Sequence, residues 1–114
     1  MVIQFRRSYE FLLIAQNGEP CRVWNGGTTT SNVWRIPKII PREDQHPTEK
    51  PVALMAMAIG LFTNKGDLVP DPCMGTGATL RAAKDLGRRA IGIEIEEKYC
   101  AAAARRLQQE VLSF

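Results

Sequence analysis

The residues 71–77, DPCMGTG, place a carboxylate, a thiol and a pair of glycines within one short stretch. A carboxylate such as Asp71, at the end of a strand, can accept hydrogen bonds from a cationic amine. Gly75 and Gly77 let a ligand approach the backbone more closely than a side chain would permit, and tolerate unusual dihedral angles. The amides of a following helix add partial positive charge behind them. Glu94 lies roughly 20 residues further on, the separation at which such folds place an acid for ribose hydroxyls. A third group, His46-Pro47-Thr48-Glu49-Lys50-Pro51, precedes both. Each has a plainer reading when taken alone. A G-x-G pair is commonly a turn, and Glu94 could be an exposed acid opening a helix. HPTEKP could be a proline-rich lead-in, with Thr48 or Glu49 near the helix cap and His46 solvated.

The elements that would position these residues follow from pattern. Pro51 suits the start of a helix, where its missing amide has no partner to lose. Residues 52–62 are apolar on almost every face, so the helix should be buried on most sides. Residues 64–67 turn the chain into a strand at 68–71. The glycine loop follows, then a helix over 78–86 with Gly87 as its C-cap. Residues 89–94 read as the next strand, with Ile91 and Ile93 suited to burial, and 97–112 as a helix with Tyr99, Ala103, Leu107 and Val111 on one stripe. Glu96 and Glu97 at its start and Arg105 and Arg106 near its end suit the helix dipole. Strand, helix, strand, helix implies a parallel pair joined by a right-handed crossover.

The first part reads differently. Residues 10–16 form a short apolar run before Asn17-Gly18, a tight-turn dipeptide, and 21–24 could pair back onto it. Residues 25–31 are too polar and glycine-rich to pack, 32–36 suggest another short strand, and 37–45 a loop. The chain thus divides into a β-rich segment, 1–45, and a βαβ region, 46–114.

With 114 residues, one compact domain is the limit. A hydrophobic share of 45% and a charged share of 24% describe a globular chain. The net charge of +3 mildly favours an anionic partner such as nucleic acid. The cysteines, Cys21, Cys73 and Cys100, are odd in number and far apart, which points to a reducing, cytoplasmic setting and to neither a disulfide framework nor a metal site. No apolar run is long enough to cross a bilayer.

In their order, HPTEKP, DPCMGTGAT and IGIEIEEKY resemble motifs X, I and II of the DNA methyltransferases that modify exocyclic amino groups. X directly before I is similar to the beta-class arrangement of N6-adenine and N4-cytosine enzymes. The resemblance covers residues 47–106, and 7–16 loosely resembles the strand before the target-recognition segment. It implies an α/β, partial Rossmann-like S-adenosylmethionine-dependent methyltransferase fold, a parallel βαβ core preceded by a short β-rich segment. It also implies S-adenosylmethionine as cofactor and double-stranded DNA as partner. Asp71 and the Gly75 and Gly77 backbone, flanked by Pro72 and Cys73, would hold its methionine end. Glu94 would take the ribose, Ile95 would flank the adenine, and Thr48 with Lys50 would line the methionine side. Arg22, Arg35, Lys38 and Arg42 are candidate DNA contacts.

The sequence departs from that pattern at Cys73, where the family usually has an aromatic residue, and in lacking motif IV, D-P-P-Y. None of its prolines, 20, 37, 41, 47, 51, 70 and 72, adjoins another. That motif holds the extruded target base, so no catalytic residue is assigned. The expectation is a cofactor-binding part, inactive alone and completed by a homodimer or by a missing N-terminal catalytic half. Competing readings are a non-catalytic cofactor- or DNA-binding or dimerising module, and a nicotinamide-dependent oxidoreductase. The oxidoreductase pattern lacks its third glycine, since Leu80 stands there. A P-loop is excluded by the missing G-K-[ST].

Overall fold

The computed structural model describes residues 4–19, 22–40 and 47–109. Its elements are helix α1 (Val52–Phe62), strand β1 (Leu68–Asp71), helix α2 (Ala78–Asp85), strand β2 (Arg89–Gly92) and helix α3 (Glu97–Gln108). The strands pair in parallel, Leu68 opposite Arg89 and Asp71 opposite Gly92. The expected adjacent parallel pair is therefore present. The ladder extends one step beyond each end, since Arg89 N–H donates to the Asp67 carbonyl and Ile93 N–H to the Asp71 carbonyl, both at 2.9 Å. Gly87, at φ +72°, ends α2 in the left-handed conformation that only glycine adopts without strain.

In a parallel ladder, alternate residues of a strand turn their backbone groups toward opposite edges. The bonds at Asp67 and Asp71 fix the phase. Positions 67, 69 and 71 face β2, and 68 and 70 face outward. Pro70, which has no amide proton, thus stands on the outer edge of β1, where no ladder bond is lost.

Both α1 and α2 lie on one face of this sheet. Ile59 of α1 and Ala82 and Ala83 of α2 form the buried cluster, with Val69 and Ala90 of the strands packed against it. A Cβ on Gly92 would lie 2.2 Å from Met74 Sδ and 2.8 Å from Leu80, so this face of β2 is covered too closely for a side chain. The opposite face is bare. Ile91 and Ile93, expected to be buried, are 55% and 63% exposed. Alternation correctly put them on a common face, but no element among those described covers it. Nor is α1 buried on most sides: Ile59 is its only buried residue. Val52, Met55 and Ala56 are partly buried against the cluster, while Ala58 and Phe62 line an open groove shared with the extended residues 12–16 and Trp34.

The first segment contains no strand among its described residues. The strands expected at 10–16 and 32–36 are not formed, and the hairpin partner at Cys21 lies outside the described residues. Phe5, Phe11 and Leu13 are almost fully exposed, so the apolar run gains no covered face to reward pairing. This segment is nevertheless docked through Asn25, in a stretch expected not to pack. Asn25 N–H donates to the Leu61 carbonyl, and Nδ2 to the carbonyls of Gly60 and Thr63, each at 2.9 Å. These are among the carbonyls that the end of a helix leaves without intrahelical partners. Arg88 completes the cap, donating through Nη2 to the Thr63 carbonyl at 2.7 Å. Asn25→Ala is expected to lower stability by about 1–2 kcal/mol, for two exposed neutral hydrogen bonds. Urea unfolding should also show separation of Trp24 from Phe62, whose ring centroids lie 5.5 Å apart. An unchanged midpoint would remove Asn25 from this role.

Candidate functional site

At the carboxyl end of the paired strands, the chain turns from β1 into the loop 72–77 and then into α2. Parallel pairing places the ends of both strands side by side, so Asp71 and the residues after β2 converge. The loop is sewn to β2 by backbone and side chain together. Met74 N–H donates to the Ile93 carbonyl at 3.0 Å. Gly75 N–H donates to Glu94 Oε2 at 2.8 Å, while Glu94 Oε1 accepts from Glu96 N–H at 2.9 Å. Asp71 Oδ1 accepts from Cys73 N–H at 3.0 Å.

Gly75 has φ +53° and Gly77, the N-cap of α2, has φ +84°. At Gly77 glycine is required twice over. The dihedral is left-handed, and a Cβ would lie 2.9 Å from the Ala103 Cβ of α3. The loop therefore presents bare backbone, flanked by two carboxylates at neighbouring strand ends. An ionised carboxylate offers about four acceptor positions. Glu94 uses one on each oxygen for backbone amides, which fixes its orientation and leaves capacity for a pair of ligand hydroxyls.

The structure thus brings together Asp71, Pro72, Cys73, Gly75, Gly77 and Glu94. Pro72 and Cys73 are exposed, Asp71 and Glu94 half-buried, and Gly77 buried. Ile95 is 95% exposed beside Glu94, an open apolar surface. Thr48 and Lys50 are exposed, and Lys50 Nζ is held 2.7 Å from Glu10 Oε2 of the first segment. That hydrogen bond and the Lys50 charge hold the Glu10 carboxyl below its ordinary range. With a depressed pKa in the folded state, the contribution of the pair is present at neutral pH. It is lost as pH falls through the lowered value. Arg22, Arg35 and Lys38 are exposed, whereas Arg42 and His46 lie outside the described residues.

The lead-in segment meets the loop through a residue that the sequence reading assigned elsewhere. Helix α1 has no side-chain cap. Glu49, which with Thr48 is an alternative for a place near that cap, forms an ion pair with Arg106 of α3, and its side chain is 6% exposed. Arg106 also donates through Nη1 to the Thr76 carbonyl at 3.3 Å. Its place in a helix-dipole pattern gave no hint of this, because one residue pair 57 positions apart has no periodic signal. A functional signal did exist: Glu49 sits inside HPTEKP and Thr76 inside DPCMGTG.

Among the described residues no group of His, Cys, Asp and Glu could hold a metal ion, and no helix is long and apolar enough to cross a membrane.

Comparison with known proteins agrees with this geometry. The pattern of a DNA methylase family, of the N6/N4 methyltransferase kind, matches residues 5–105. The match reaches into the first segment, further than the motifs alone. The chain is 36% identical over 104 residues to the type II methyltransferase M2.DpnII of Streptococcus pneumoniae, covering 90% of this chain and 36% of that protein. It is 33% identical over 110 residues to the DNA adenine methyltransferase YhdJ of Escherichia coli K12, covering 94% of this chain and 37% of that protein. Among solved structures, the M1.HpyAVI–SAM complex aligns at TM-score 0.60 and 38% identity, over 76% of this chain and 44% of the other. The cytosine-N4-specific PvuII DNA methyltransferase aligns at 0.55 and 32%, over 60% and 24%. The chain spans little more than a third of the length of these curated relatives. From strand ends, glycine loop and matched pattern alike, the chain belongs to the DNA methylase family of amino-methyltransferases.

Proposed function

We propose that this chain is the S-adenosylmethionine-binding part of a DNA methyltransferase acting on N6 of adenine or N4 of cytosine. The observation that carries this reading is the bond from Gly75 N–H to Glu94 Oε2, which locks the glycine loop to the second acid before any ligand arrives. Bare backbone at Gly75 and Gly77 and spare acceptor capacity on Asp71 and Glu94 fit a ligand with an amine at one end and a diol at the other. In this reading Asp71 accepts from the methionine ammonium, and Glu94 from the ribose hydroxyls. Pro72 and Cys73 flank the chain between them, and Ile95 packs on the adenine. Thr48 and Lys50 line the methionine side, where Lys50 exchanges Glu10 for the cofactor carboxylate. When bound, the cofactor supplies a methyl group activated on a sulfonium.

Double-stranded DNA is the proposed substrate, with the exposed Arg22, Arg35 and Lys38, and by sequence Arg42, as phosphate contacts. Base handling is not assigned to these residues, since the sequence holds no Pro-Pro pair. The pocket for the extruded base would have to come from residues other than these, in the same polypeptide or in another. The pure chain should therefore bind S-adenosylmethionine in calorimetry yet transfer no methyl group to DNA. Folded protein that shows no heat of binding at millimolar cofactor ends this proposal. Cofactor-dependent methylation by the pure chain ends the part concerning the base pocket.

A further inference from the structure

We infer that Arg106 is a positioning residue, which ties the lead-in segment at Glu49 to the glycine loop at Thr76 and holds that loop in its ligand-accepting shape. The inference rests on the cofactor reading above for its functional meaning, but its geometry is independent of that reading.

Helix α3 meets the loop at positions one turn apart. Ala103, 1% exposed, closes against Gly77, leaving no space for a Cβ there. Arg106 then reaches the next carbonyl back, that of Thr76, with one arm of its guanidinium, and Glu49 with the other. The turn carrying Arg106 is itself braced. Buried Arg81 of α2 donates through Nη1 to the Arg106 carbonyl at 3.3 Å and to the Gln109 carbonyl at 2.7 Å. Lys84 donates to the Leu107 carbonyl. A fixed helix end thus presents a fixed fork, a geometry that arginine supplies and lysine does not.

A stabilising ion pair is the plainer account, and physical chemistry argues against its sufficiency. Buried pairs are often replaceable by apolar residues without loss of stability. Among the described residues, Glu49 Oε2 of this pair and the neighbouring Thr76 Oγ1 are buried with no hydrogen-bond partner. A clamp optimised for stability would satisfy them. What an apolar pair cannot replace is the donor to the Thr76 carbonyl, between the two glycines of the loop.

The test compares wild type, Arg106→Lys and the double variant Glu49→Leu/Arg106→Met. It follows amide hydrogen exchange at Gly75 and Gly77 in the unliganded protein, thermal unfolding, and S-adenosylmethionine affinity. The double variant should unfold near the wild-type temperature, yet exchange both amides at least about tenfold faster and bind cofactor about tenfold more weakly. Arg106→Lys, which keeps the charge but not the fork, should lie between them and decides the matter if the double variant does not fold. Wild-type exchange at both glycines in a folded variant overturns the inference, whatever the affinity. Absence of cofactor binding in the wild type would count against the proposed function alone, because the exchange result still judges the clamp.

Discussion

Gly77→Ala is expected to destabilise the protein by about 2–5 kcal/mol and to remove cofactor binding. A left-handed dihedral costs an L-residue roughly 1–2 kcal/mol. Gly77 adds to this a Cβ 2.9 Å from the Ala103 Cβ and 3.4 Å from its Cα. Overpacking of that kind costs about 1–3 kcal/mol more, and α3 cannot easily retreat, because Arg81 and Lys84 hold its far end. Against a typical domain stability of about 5–15 kcal/mol, the sum is severe. An internal control exists. Gly66 has the same φ of +84° but nothing within 4 Å of a built Cβ. Gly66→Ala should therefore lose only the dihedral contribution, about 1–2 kcal/mol. Urea midpoints for both variants separate the causes, and Ala103→Gly in the Gly77→Ala background should recover the packing part. Equal losses at positions 66 and 77 would mean that α3 does not press on the loop.

The other large effect is expected at Glu94. Glu94→Ala removes the acceptor for both Gly75 N–H and Glu96 N–H, charge-assisted bonds of 2.8 and 2.9 Å. Cofactor affinity should fall by roughly 1–3 kcal/mol, as for losing hydrogen bonds to a charged group, with further loss from the loosened loop. Glu94→Gln is the informative companion. A carboxamide has one acceptor oxygen, so whichever way it turns, its NH2 faces one of the two backbone amides. Glutamine should thus resemble alanine more than glutamate in the exchange rate of either Gly75 or Glu96. If Glu94→Gln binds S-adenosylmethionine as tightly as wild type, the ionised carboxylate is not what holds the ribose. Calorimetry on folded variants reads the outcome directly.

These variants also mark what sequence could and could not reveal. Asp71, Gly75, Gly77 and Glu94 were legible because strand–loop–helix grammar places them: a carboxylate at a strand end, small residues at a turn, an acid one crossover later. The parallel register followed from the same logic. Periodicity failed where the decisive fact was a neighbour. Ile91 and Ile93 share a face by alternation, yet alternation cannot say whether that face is covered. The run at 10–16 has strand composition but finds no ladder partner, since strand formation depends on context more than on propensity. Asn25 and Arg106 each bond groups far away in sequence, and such contacts leave no periodic trace. The glycine-rich polarity around Asn25 suggested an unpacked loop, when its amide was in fact finishing a helix.

Pro70 has a consequence for how this protein can meet another chain. Of the backbone groups on the outer edge of β1, the Leu68 amide is the sole donor, beside the carbonyls of 68 and 70. A two-fold, antiparallel approach of this edge to its own copy aligns at most a reciprocal pair of bonds between the Leu68 residues. Two net hydrogen bonds contribute about 1–3 kcal/mol, against an association penalty of about 4–15 kcal/mol. Strand addition by itself therefore cannot hold a dimer at micromolar concentration. The larger apolar surface beside this edge is the sheet face of Leu68, Ile91 and Ile93, which are 45%, 55% and 63% exposed. The proline makes β1 a poor template for indiscriminate stacking and leaves selectivity to side chains.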